Sequence, residues 1–141
     1  WNNLDPLMMR KTDIAIKTLP NFNKFSSSLI KSMRFLRSTN RTFRAERVPL
    51  CFMKWFERSS TETRKIVKDE ERIVYFLDNR EMVQQSWKHW EHDKLEWCKK
   101  CDLNSICSWI YEYKRFFNNV KVMPQKITLE EKKKIIEQIN M

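Results

Sequence analysis

Apolar residues recur at spacings of three and four along most of this chain, the pattern of helices that bury one face. The sharpest stripe is Phe22, Phe25, Leu29, Met33 and Leu36. Lys24, Lys31, Arg34 and Arg41 project from the other side of that predicted helix, and Asn40 is its expected stop. Upstream, Asp5-Pro6 reads as a helix start with proline at the first helical position, and Pro20 closes a short predicted helix near Leu19. Pro49 opens the segment Leu50 to Phe56, too hydrophobic all round for a surface helix.

The second half continues the same alternation. Ser59-Ser60-Thr61-Glu62 has the form of a capping box and opens a predicted helix carrying Ile66, Ile73 and Leu77. Asp78-Asn79-Arg80-Glu81 repeats that form ahead of a stripe of Val83, Trp87, Trp90, Trp97 and Cys101, with Lys94 interrupting it. After a joint at Asp102 to Ser105, Leu103, Ile106, Ile110, Tyr113 and Phe117 form another stripe, closed by Asn118-Asn119 and Pro124. Thr128-Leu129-Glu130-Glu131 is a third capping box, before Ile135, Ile136 and Ile139. The pattern predicts an all-α, single-domain irregular or orthogonal bundle of five to seven helices over residues 1–141.

Composition sharpens this picture by exclusion. The 141 residues include no glycine. Walker A loops, Rossmann fingerprints, nucleophile elbows and KH loops all need glycine, so those chemistries are excluded. Missing glycine also argues against tight β-turns, which favour residues at positive φ. Hydrophobic residues at 41% and aromatics at 13% describe a cored chain rather than a disordered one. No apolar run reaches the roughly 18–20 residues of a membrane span. Trp rather than Met at position 1 leads us to expect a domain of a longer protein. The location expected, independently of that terminus, is intracellular, in the nucleus or cytoplasm.

Charge is unevenly placed. The net charge is +10, and residues 1–58 hold 12 basic against 4 acidic side chains, a net of +8, leaving +2 for residues 59–141. No acidic residue lies between Asp13 and Glu46. At 100° per residue, Arg34, Arg37, Arg41 and Arg44 share one sector opposite the apolar stripe. With Lys31 and Arg47 they form an expected partner-binding basic face, in which arginine favours bidentate anion contacts. Most tryptophans of a bundle fill its core, yet six in this length lead us to expect an aromatic groove built from Trp55, Trp87, Trp90 and Trp109.

The remaining chemistry-bearing residues are His89, His92 and four cysteines, Cys51, Cys98, Cys101 and Cys107. A C-x-x-C pair near histidines invites zinc. On one continuous helix over residues 80–101, however, His92 would lie about 120° around the axis and roughly 9 Å along it from Cys98. A site would need a helix break near Lys99. The expectation is therefore no metal and no cofactor, with reduced thiols and the Cys101 sulfur against aromatic carbon. No nucleophile has a recognisable base and orienter, so no catalytic residue is expected. The sequence reads as a non-enzymatic interaction module that binds a peptide or helix of another protein, possibly acidic, through the aromatic groove and basic face. The alternative is RNA or DNA binding through residues 24–47.

Overall fold

The computed structural model describes residues 21–78, 80–86, 92–111 and 123–141. Helix α1 spans Phe22–Ser38. The Asn21 side chain caps it by accepting the Asn23 and Lys24 backbone N–H groups at 3.1 and 3.3 Å. The expected stripe is the buried face, with Phe22, Leu29 and Met33 inside. Asn40, at φ 54°, takes the chain out of the helix. Burying each large side chain of this kind stabilises by about 1.5–3 kcal/mol.

The segment after Pro49 turns in steps of three. The N–H groups of Phe52, Met53, Phe56 and Ser59 donate to the carbonyls of Pro49, Leu50, Met53 and Phe56 at 2.7–2.9 Å. A 3-10 turn stacks residues three apart on one edge, so Leu50, Met53, Phe56 and Ser59 are all buried. A parallel bridge of Ala45 with Ser60 ties this segment back on itself. Helix α2, Thr61–Lys68, follows, capped by Ser60, whose hydroxyl accepts the Thr63 N–H at 3.2 Å. The cap thus falls one residue later than the sequence suggested. Glu62 is consequently not the reciprocal cap residue and lies buried.

Beyond α2 the expectation of an all-α bundle fails. Residues Glu71–Phe76 and Glu81–Ser86 are strands β1 and β2, paired antiparallel from Glu71↔Ser86 to Phe76↔Glu81. The run Arg72-Ile-Val-Tyr-Phe is rich in the β-branched and aromatic residues that favour strands. Ile73 and Leu77, taken for a helical spacing, are exposed in the hairpin. Two further short strands, β3 (His92–Asp93) and β4 (Ile110–Tyr111), form a second antiparallel pair. Among the described residues three α-helices occur, the last being α3, Leu129–Asn140. The glycine argument erred because other residues adopt the left-handed conformation: Asn40, Arg47, Trp55, Asp69, Arg80 and Trp109 all have positive φ. Outside glycine and Asn/Asp that conformation costs roughly 1–2 kcal/mol per residue. The helix expected before Pro20, and the stripe positions Trp87, Trp90, Tyr113 and Phe117, lie outside the described residues.

The core has two parts. One gathers Phe22, Leu29, Met33, Ala45, Val48, Met53, Phe56 and Trp109. The other joins Leu50, Leu103 and Ile106 to Val67, Ile127, Ile135 and Ile136. Thr128 and Glu131 close the expected capping box at the start of α3. No helix among the described residues is long and apolar enough to cross a membrane.

Candidate functional site

The expected basic face does not exist as one face. Helix α1 ends at Ser38, so Arg41 and Arg44 stand on the extended segment that follows it. That segment folds back along residues 58–60, where the Arg44 guanidinium donates to the Arg58 carbonyl at 2.8 Å. The result is a cavity of about 770 Å³ lined by Arg37, Arg41, Arg44, Arg58 and Arg64, with Ile139 of α3 on its far wall. Among the described residues no Asp or Glu side chain lines it. Its volume lies in the range of ordinary ligand sites.

Two more of these arginines are braced. Arg37 donates to the Trp55 carbonyl at 2.6 Å and stands over the Phe56 ring at 4.1 Å. Arg64 pairs with Glu70 at 3.3 Å. A guanidinium held this way keeps its fork in place and loses less freedom when it meets a carboxylate or phosphate. Arg58 and Arg64 escaped sequence reasoning: Arg58 lies beyond the run without acidic residues, after Glu46 and next to Glu57, and Arg64 sits in the half of the chain with nearly balanced charge. The only sequence sign was their position flanking the cap of α2.

Lys31 and Arg34 belong to a second, more open cavity of about 510 Å³ that also includes Lys54 and Trp55. Trp55 is 57% exposed, with Arg34 at 5.4 Å and Lys54 at 5.1 Å from its ring. Its positive φ is stabilised locally, because its backbone N–H donates to the Glu57 carboxylate at 3.0 Å. Burial pushes the Glu57 pKa up, against the pull of backbone amides, Arg37 and Lys54. Arg47 is half-buried and lines neither cavity. Trp109, expected in a groove, is 2% exposed and part of the core. Trp87 and Trp90 lie outside the described residues; among the described tryptophans of the expected groove, Trp55 is the one at the surface.

The argument against a metal rested on a continuous helix over residues 80–101. Strand β2 and a 3-10 turn at Glu96–Lys100 replace it. Trp97 is 58% exposed rather than core. Cys101 packs against the aliphatic cluster of Leu50, Leu103 and Ile106, off the tryptophan stripe that the sequence suggested. Burial raises the pKa of Cys51, Cys98 and Cys107, and at Cys51 the other three cysteines add to the shift. Among the described residues, no three His, Cys, Asp or Glu side chains stand around a metal position as they are placed.

No protein family, curated protein or solved structure matches the chain.

Proposed function

We propose that this chain is a non-enzymatic binding module that takes an acidic segment of a partner protein into the five-arginine cavity. The observation that carries this reading is the convergence of Arg37, Arg41, Arg44, Arg58 and Arg64 on one concave surface that, among the described residues, no Asp or Glu side chain lines. Cations gathered in a concavity focus their field, steer an anionic partner and reward bidentate carboxylate contacts. The aromatic part of the reading narrows to Trp55, which offers an amphipathic anchor beside Arg34 and Lys54.

Trp55 also supports a second reading, the binding of single-stranded nucleic acid. An exposed ring flanked by two cations is the combination that stacks a base and holds its phosphates. Fluorescence anisotropy with an acidic peptide and with a single-stranded oligonucleotide separates the two. The protein-binding reading expects the peptide to bind and Arg41→Glu with Arg58→Glu to abolish binding, while Trp55→Ala weakens it less. Oligonucleotide binding that collapses in Trp55→Ala, with no peptide binding, would favour the second reading.

A further inference from the structure

The chain places four thiols around one small cavity. Strands β3 and β4 clamp the ends of residues 94–109, which carry Cys98, Cys101 and Cys107. Within that loop the chain turns tightly: the Cys98 N–H donates to the Leu95 carbonyl at 2.8 Å, Cys101 to Cys98 at 3.1 Å, and Asn104 to Cys101 at 3.0 Å. These turns gather Cys98 and Cys101 into one compact loop, and Cys51 stands on the 3-10 turn Leu50–Phe52. All four cysteines line a single cavity of about 20 Å³. That is room for about one water-sized sphere.

Two polar neighbours fit an anionic occupant of this cavity. The Trp109 backbone N–H already donates to the Cys107 sulfur at 3.4 Å. Trp109 lines the cavity, and its indole Nε1 is buried and meets no acceptor among the described residues. Lys94 also lines the cavity, held by the carbonyl and side-chain oxygens of Asn104 at 2.5 and 2.9 Å. Four neutral thiols need neither an ammonium nor a spare N–H. A tetrathiolate around a divalent ion carries net negative charge and is stabilised by both.

We propose that Cys51, Cys98, Cys101 and Cys107 form a tetrathiolate centre for a thiophilic metal, with space for a single ion such as zinc. The donor set selects the metal: four soft sulfur ligands suit zinc or iron and not magnesium or calcium. The sulfurs border the cavity without converging on one point, so binding requires side-chain rotation about the Cα–Cβ bonds and releases the thiol protons to solvent. A filled site would staple residues 94–109 to the turn at Leu50–Phe52, linking the two parts of the core.

The test is metal analysis of the purified full chain, with titration of the metal-free protein by Co²⁺. The expected results are one zinc per chain, a sulfur-to-cobalt charge-transfer band that saturates at one equivalent, and four thiols protected from alkylation by zinc. One iron per chain without acid-labile sulfide would support the same four-thiolate centre with iron as its ion, whereas acid-labile sulfide would overturn the single-ion site. Cys51→Ser should weaken zinc binding at least tenfold; because this variant risks misfolding, the protection of all four thiols in the unmodified chain is the independent reading. Absence of bound metal, no charge-transfer band at saturating cobalt, and four freely alkylated thiols would overturn the proposal.

Discussion

The Arg37 guanidinium stands 4.1 Å from the centre of the Phe56 ring while it donates to the Trp55 carbonyl. Phe56 is a core residue and Trp55 an exposed one, so Arg37 couples the wall of the basic cavity to the interior. Lysine lacks the planar fork that satisfies both contacts. Arg37→Lys is expected to destabilise by about 1 kcal/mol, read as a lower urea midpoint with unchanged slope. An unchanged midpoint would mean that the brace carries no load.

Glu62 is a buried carboxylate, 3% exposed. Neither of its oxygens closes a well-formed hydrogen bond, although the backbone amides of Arg47 and Glu62 and the Lys65 ammonium partly offset its burial. Burial dominates and raises its pKa. The folded state therefore holds the proton more tightly than the unfolded state, and stability falls as pH rises through the window from the ordinary value near about 4.3 to the raised folded value. Glu62→Gln is expected to raise stability at pH 7 by about 1 kcal/mol. The gain should vanish below the ordinary carboxylate range, where the wild-type group is protonated in both states. Thermal melts of both proteins at pH 7 and about pH 3 check the sign, and a gain that persists undiminished at the lower pH would contradict it.

Asp102 fastens the approach to α3 onto the cysteine loop. Its carboxylate accepts the Ile127 N–H at 3.0 Å, and its own N–H donates to the Gln125 carbonyl at 3.0 Å. The Lys126 contact at 3.5 Å is exposed and contributes little. Asp102→Ala is expected to cost about 1–2 kcal/mol, mainly by leaving the half-buried Ile127 amide without its acceptor. Amide hydrogen exchange at Ile127 should accelerate more than at residues of α1. Equal protection in both proteins would dismiss the contact.

The sequence was readable where local signals agreed with one another. In α1 the apolar stripe and the Asn40 stop all coincide, and at α3 Thr128 and Glu131 form the box that their spacing predicts. It misled at residues 71–101, where a three-and-four spacing ran through β-branched and aromatic residues that prefer strands. That error propagated to the cysteines, because one assumed helix pulled apart thiols that a strand and a tight turn bring together. The arginine cavity was half legible. Arg37, Arg41 and Arg44 belong to the run without acidic residues, whereas Arg58 and Arg64 arrive through the bridge of Ala45 with Ser60, a tertiary contact that no local spacing encodes.

The five-arginine cavity is the centre of this account, and arginine side-chain NMR tests it residue by residue. An isotope-labelled chain titrated with an acidic peptide should shift the Nε–Hε signals of Arg41, Arg44, Arg58 and Arg64, which line that cavity. Arg34 and Arg72, which lie outside it, should move little, and added salt should reverse the shifts as screening weakens the contact. Shifts confined to Arg34 and the Trp55 indole, or no shift at saturating peptide, would contradict the assignment of the cavity as the binding site.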